Sequence, residues 1–253
     1  FGGHPADYDA LGPIATDHDV ALVADAAHSL GARYHGRPVG QLADLSALSL
    51  HPIKPITTGE GGAVVTGDAA AADRARSFRT HGFVREQSRL HRPEEGPWYA
   101  EQHTLGFNYR LTDIQCGLGV SQLAKLSGFI ARRQAIAARY LDAFSDLEGL
   151  TLPTVRDGVE PGWHLFVVRV PEARWRRPLY DRLQALGLGV QVHYLPVYRH
   201  PYYQSLGYAD GQCPVAEDLY ERSITLPLFP RMTDEMVSRV IDRVREAVGD
   251  VLP

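Results

Sequence analysis

The chain has 253 residues, 44% hydrophobic and 22% charged, with a formal net charge of −4. This is the balance of a soluble globular protein, long enough for one large domain or two ordinary ones. It excludes a basic field for nucleic acid, and no apolar run reaches the roughly 20 residues of a membrane-spanning helix.

Asp7 to Asp19 reads as a helix, with Tyr8, Leu11, Ile14 and Ala15 on one stripe. Val20 to Ala24 is a continuous apolar run, expected as a strand buried on both faces, and it ends in Asp25-Ala26-Ala27-His28. Ligands of α/β folds gather at such carboxyl-terminal strand edges. Gly31 to Gly40 reads as a turn with short strands, Ala43 to Leu50 as a second buried strand, and Gly61 to Thr66 as a third. Ala69 to Thr80 reads as a helix with Arg74, Arg76 and Arg79 on its wet side. Gly82 to His103 lacks periodicity and is expected to be a long functional or mobile loop. Thr112 or Asp113 is placed to cap a long helix from Ile114 to Leu147, bent near Gly128.

Beyond it come a strand over Trp163–Val170, a helix over Arg177–Leu186, a strand over Gly189–Tyr194, a helix over Val215–Arg222 and a strand over Ile224–Leu228. A final helix capped by Thr233 carries the stripe Met236, Val237, Val240, Ile241, Val244 and Val248. The expected organisation is α/β: residues 1–120 as part of a large domain, and residues 121–253 as a small α+β domain. The two cysteines, Cys116 and Cys213, read as reduced core thiols of a cytoplasmic protein. The eleven histidines show no ligand spacing, so no metal is expected.

One lysine stands out. In Ser49-Leu50-His51-Pro52-Ile53-Lys54-Pro55-Ile56-Thr57-Thr58-Gly59-Glu60-Gly61-Gly62, the prolines at 52 and 55 forbid a continuing helix. Lys54 is therefore expected on a rigid turn between buried strands. Desolvation lowers an amine's pKa, and an unprotonated lysine attacks carbonyl carbons. A snorkelling surface lysine, or an ion-pair partner for Asp25, is the plainer reading. An aspartate holding a pyridinium nitrogen protonated, beside a lysine that bonds an aldehyde, is the pair that pyridoxal phosphate (PLP) requires.

Five blocks carry a resemblance: Asp25 to Ala32, Gly36 to Gly40, Ser46 to Lys54, Gly59 to Thr66, and Gly106 to Gln115. In this order and spacing, they resemble the PLP-dependent sugar aminotransferases of the DegT/DnrJ/StrS type over the whole chain. His51 to Thr58, Gln191 to Val197, Pro201-Tyr202-Tyr203 and Leu226 to Pro230 are similar to the 4-aminotransferases of the pseudaminic acid pathway. The resemblance implies a type I, aspartate aminotransferase-like fold with an incomplete mixed-sheet large domain. It implies amino transfer, with glutamate as donor, to C4 of a UDP-linked 4-keto-6-deoxy sugar. Lys54 would bond the cofactor and carry protons, Asp25 would bind the pyridine nitrogen, and Ser49 the phosphate. His28 would lie by the ring hydroxyl, with a cap or core histidine as the alternative. Asn108 would reach the phosphate of a neighbouring subunit's cofactor, implying a homodimer with shared sites. Gln191, Val192, His193 and Tyr194 would line the sugar-nucleotide site, with a wet strand face as the alternative for His193. Arg110 is expected to be structural.

Phe1-Gly2-Gly3-His4-Pro5 has neither initiator methionine nor leader and reads as the interior of a longer protein. The family's phosphate-holding loop, ring-packing side chain and first strands are expected upstream, so this chain alone is expected to bind PLP poorly. Two rivals remain: another family enzyme, such as a sugar 3-aminotransferase or a dehydratase, and a non-catalytic remnant. Dehydratases carry histidine where Lys54 stands.

Overall fold

The computed structural model describes residues 1–252. It divides into two compact units: Pro5–Ser127 with Gly158–Glu160, and Phe1–His4 with Gly128–Asp157 and the chain from Pro161 onward.

In the first unit, Asp7 caps α1 (Tyr8–Asp17) by accepting the Ala10 N–H at 3.1 Å. The central sheet has the order β1 (Val23–Asp25), β4 (Leu45–Ser49), β5 (Gly62–Val65). β1 runs parallel to β4, with Asp25 opposite Ala47; β5 returns antiparallel, with Gly62 opposite Ser49. Two-residue strands β2 (Arg33–Tyr34) and β3 (Arg37–Pro38) form a second sheet with β8 (Val159–Glu160). Ala26, Ala32 and Val39 make a small buried core against one face of the central sheet, with Leu42 and Leu48 packed on it. After α2 (Ala69–Phe78), β6 (Phe83–Val84) pairs with β7 (Glu101–Gln102), so the expected loop contains a hairpin.

Several expectations give way here. Val23 is 64% exposed, and among the described residues β1 has β4 as its only strand neighbour, so it is an edge strand rather than one buried on both faces. The α1 stripe is outward, with Leu11 and Ile14 exposed and no residue of that helix buried. The long helix is two: α3 (Asp113–Leu123) and α4 (Leu126–Ala143). The break falls at Ala124-Lys125, where the Lys125 N–H closes a short turn onto the Gln122 carbonyl at 3.0 Å. Gly128 lies inside α4, a position that costs about 1 kcal/mol relative to alanine without ending a helix. Both cysteines are exposed, so neither is a core thiol.

The second unit has the larger core. β9 (Phe166–Arg169) pairs antiparallel with β10 (Ser223–Leu226), with Phe166 opposite Leu226. α5 (Ala173–Ala185) contributes buried Leu179 and Leu183. Short α6 (Pro201–Ser205) and α7 (Pro214–Arg222) precede β10. Thr233 caps α8 (Asp234–Val251) by accepting the Met236 N–H at 3.2 Å, and the helix buries Val237, Val240, Val244 and Val248. Met236 sits at the edge of that stripe, 38% exposed. The expected strand over Gly189–Tyr194 shrinks to one bridge, in which Gln191 and Thr225 exchange backbone bonds of 3.2 and 2.7 Å. A tight turn before it (Val190 N–H to Leu188 O, 3.0 Å) and the donor-less Pro196 after it leave room for a single pair. Arg133 is buried, and its Nη1 donates to the carbonyls of Trp163, His164 and Leu228 at 3.0–3.3 Å. Burial pulls its pKa down to about 10; the three carbonyls satisfy Nη1, while the buried Nε has no hydrogen-bond partner among the described residues.

Phe166 is fully buried, edge-on to Tyr140 at 5.1 Å and stacked on Trp163 at 5.6 Å. Phe166→Ala is expected to remove about 3–5 kcal/mol of stability in urea unfolding. Val215→Ala, at a position 84% exposed, is expected to change it by less than about 0.5 kcal/mol. Equal effects of the two would place the core elsewhere.

Candidate active site

The parallel pairing of β1 and β4 brings two strand ends to one sheet edge. Asp25 closes β1, and Ser49 closes β4 just before the lysine turn. That turn is stitched shut at its base. The Thr57 hydroxyl and the Thr58 N–H both donate to the Leu50 carbonyl at 3.0 Å, and the Leu50 N–H reaches Gly61 O at 2.9 Å. Inside it, the Lys54 N–H donates to His51 O at 3.0 Å. Pro55 and Ile56 are buried, whereas Ile53 is 56% exposed. The glycines behind the turn are required by space. A Cβ at Gly61 (φ +152°) would lie 2.5 Å from Thr58 Oγ1, and one at Gly62 would lie 2.8 Å from the Leu48 carbonyl. Gln115 ties this loop to α3, its Nε2 donating to Glu60 O at 2.9 Å. Gln115 also completes the capping box with Thr112, so one side chain serves helix start and site.

Lys54 is half-buried. Burial lowers its pKa, and the negative charge of Asp25 raises it, burial being the larger effect. Among the described residues no hydrogen bond or ion pair within 4.0 Å engages its amine. Asp25 thus acts on Lys54 through space without pairing with it, which leaves a gap between amine and carboxylate. Asp25 is exposed rather than shut into a crevice, because β1 is an edge strand; its Oδ1 accepts the Ala27 N–H at 3.1 Å. Ser49 is half-buried, its hydroxyl oxygen 3.4 Å from the His51 N–H. His28 is half-buried in the turn that follows β1.

Asn108 is exposed, and its backbone bridges Thr80. The segment around it is sewn to the end of α2 by Phe107 N–H to Phe78 O (2.7 Å) and Tyr109 N–H to Arg79 O (3.0 Å). Gln191, Val192, His193 and Tyr194 belong to the other unit, where Gln191 and His193 both meet Thr225. Gln191 bonds its backbone, and His193 Nδ1 lies in a 2.8 Å hydrogen bond with its hydroxyl. Tyr194 lies edge-on to His193 at 4.6 Å, and partial burial raises its phenol pKa.

Sequence reasoning missed one cluster. His91, Glu101 and His103 bring their ligand atoms within 4.8 Å of one another, although their spacing matches no metal motif. The available signal was the Glu-x-His step in extended chain, since alternate residues of extended backbone share a face; β7 ends one residue before His103.

The pattern of the DegT/DnrJ/EryC1/StrS aminotransferase family matches residues 1–245. In three dimensions the chain superposes on 65% of Helicobacter pylori PseC, an aminotransferase of pseudaminic acid biosynthesis, with a TM-score of 0.89, 29% identity and 99% of this chain covered. The PLP form of the sugar aminotransferase Spr1654 from Streptococcus pneumoniae gives 0.88 and 27%, covering all of this chain and 68% of that one. The fold is therefore that of the type I PLP-dependent transferases. The chain belongs to the DegT/DnrJ/EryC1/StrS aminotransferases, whose cofactor is PLP.

Among curated relatives it is 36% identical to the Bacillus subtilis spore coat polysaccharide biosynthesis protein SpsC, over 98% of this chain and 65% of that protein. It is 33% identical to UDP-4-amino-4,6-dideoxy-N-acetyl-beta-L-altrosamine transaminase of Campylobacter jejuni (92% and 60% covered). It is 37% identical to dTDP-3-amino-3,4,6-trideoxy-alpha-D-glucose transaminase of Streptomyces venezuelae (96% and 61% covered). The chain thus spans about 60–66% of the length of the curated relatives it matches. No helix of the described residues is long and apolar enough to cross a membrane.

The residues present fit PLP. An amine biased toward its neutral form and left unpaired, with a carboxylate acting on it across a gap, is the donor set that an aldehyde-bearing pyridine needs. The same balance is testable without the cofactor. Lys54 and Lys125 are the chain's two lysines. Removing the Asp25 charge removes the one influence that raises the Lys54 pKa. In Asp25→Asn, competitive labelling with an amine-selective reagent near pH 8 is expected to modify Lys54 faster than in the wild type, relative to exposed Lys125. Slower labelling of Lys54 would contradict this electrostatic assignment.

Proposed function

We propose that the protein transfers an amino group from glutamate to C4 of a UDP-linked 4-keto-6-deoxy sugar, in nucleotide-sugar synthesis of the pseudaminic acid type. The observation that carries this is the unpaired Lys54 amine facing Asp25, in a chain related to transaminases of nucleotide-linked amino sugars. When bound, PLP supplies an electron sink for carbon–nitrogen chemistry. Lys54 holds the cofactor and then moves a proton between its Nζ and the reacting carbon, a role that suits an amine titrating below its usual range. With PLP bound, Asp25 would keep the pyridine nitrogen protonated by its negative charge, the Ser49 hydroxyl would hold the phosphate, and His28 would serve the ring hydroxyl. Gln191, Val192, His193 and Tyr194 receive the sugar nucleotide, with Thr225 holding the His193 ring in place.

The same reading makes the protein a homodimer in which Asn108 reaches the cofactor of the second subunit. Its support is the apolar surface flanking Asn108 and along α3: Tyr109 is 67% exposed, Ile114 87%, Val120 73% and Leu123 59%.

A second reading places the amine on C3, because the Streptomyces venezuelae relative named for a 3-amino sugar is 37% identical. Incubating the full-length parent of this chain with PLP, glutamate and a panel of UDP- and dTDP-linked keto sugars, with the product position read by NMR, decides between them, and the Lys54 variant is assayed in that same protein. A 4-amino product is expected, and a 3-amino product would overturn the choice of carbon. Lys54→Ala is expected to cut turnover by about 10³-fold or more, given the usual worth of a positioned proton carrier with the loss of its covalent role added. Retention of most of the wild-type rate would end the assignment of Lys54.

A further inference from the structure

We propose that His91, Glu101 and His103 form a binding site for a divalent transition metal, zinc in the first instance, which pins the β6–β7 hairpin. The carboxylate is the fixed member. Glu101 is 9% exposed, and its Oε1 accepts the backbone N–H groups of His91 and Arg92 at 2.8 and 2.9 Å. Backbone donors of this kind orient a ligating carboxylate; the His91 N–H is shared with the other oxygen at 2.9 Å, which keeps a further lone pair for the ion. That oxygen, Oε2, is where the two imidazoles converge: His103 Nε2 lies 2.7 Å from it and His91 Nδ1 3.2 Å. The rings stack face to face, 4.9 Å between centroids and 18° from parallel, so both present a nitrogen toward the same point. With no ion, His103 Nε2 is hydrogen-bonded to Oε2 and the His91 ring lies beside the same oxygen.

The distances suit an ion. All three donor atoms lie within 4.8 Å of one another, and a tetrahedral zinc with bonds of about 2.0–2.2 Å holds its donors roughly 3.3–3.6 Å apart. Both rings must move out for this: His103 Nε2, now 2.7 Å from Oε2, by roughly 0.6–0.9 Å, and His91 Nδ1, at 3.2 Å, by less. His91, whose side chain is 84% exposed, is free to turn, and His103 directly follows β7. Two imidazoles and one carboxylate form a borderline donor set that suits zinc, cobalt or nickel over the oxygen-seeking calcium and magnesium. Three protein ligands leave a fourth position for water. His91 sits in the excursion between β6 and β7, and Glu101 and His103 sit on its return. An ion there cross-links the excursion to its base.

The test uses the full chain, tag-free and stripped with a chelator. Zinc is titrated in competition with a chromophoric chelator, and cobalt is titrated in parallel for its visible absorption. One ion per chain is expected, with a tetrahedral cobalt spectrum and slower proteolysis between residues 85 and 100 when zinc is present. His91→Ala is expected to weaken binding by about tenfold or more, as is His103→Gln, whereas His18→Ala leaves it unchanged. Because the His91 side chain projects into solvent, its removal leaves the fold intact by circular dichroism. Absence of stoichiometric binding, or binding that survives in His91→Ala and in His103→Gln alike, would overturn the site and leave a hydrogen-bonded trio.

Discussion

The parallel register of β1 on β4 is the constraint on which the rest depends. It sets Asp25 opposite Ala47, and the chain then leaves β4 through Ser49 into the turn that carries Lys54. Two strand ends at one edge put an acid and an amine within electrostatic reach, yet the turn holds the amine too far away for an ion pair. Burial pushes the Lys54 pKa down, and Asp25 restrains that fall. A direct salt bridge would keep the lysine protonated and inert toward a carbonyl. The rigid turn, its base closed by three bonds on Leu50 and backed by glycines that admit no Cβ, preserves the separation.

The two units meet different demands. The second unit packs a continuous core in which Tyr140, Phe144, Phe166 and the valines of α8 are sealed from water. It then spends one strand edge on a single bridge to Gln191, which fixes where His193 and Tyr194 begin. The first unit buries far less. Its sheet is covered on one face by Ala26, Ala32 and Val39, while on the other face Val23 is 64% and Val64 56% exposed. Stability in that unit rests more on local hydrogen bonds: the capping box of Thr112 and Gln115, the stitches between residues 78–81 and 107–109, and the Gln115–Glu60 tie.

The parts legible in the sequence were those governed by local chemistry. Pro52 and Pro55 announced a turn around Lys54, Thr112 and Thr233 announced helix starts, and the valine stripe of α8 announced a buried face. Five blocks in order announced the family. What could not be read depended on partners distant along the chain. The apolar run Val20–Ala24 marks a strand but not its neighbours: the open side of β1 and the exposure of Asp25 belong to the incomplete sheet that the family resemblance implied. The helix break at Ala124-Lys125 has no proline or glycine to mark it, and the nearby Gly128 drew attention to the wrong place. The strand over Gly189–Tyr194 failed because alternation predicts which residues share a face, while pairing needs a neighbour with a free edge. His91 lies ten positions before Glu101, and only the β6–β7 hairpin makes them neighbours.

The most direct test of Lys54 as the cofactor-bearing residue is borohydride reduction of the protein in the presence of pyridoxal phosphate, followed by peptide mapping. Lys54 and Lys125 are the two lysines that can compete for the label. Label on the peptide carrying Lys54, at whatever occupancy, with Lys125 unmodified, is the predicted result. Label on Lys125 with Lys54 untouched would contradict it.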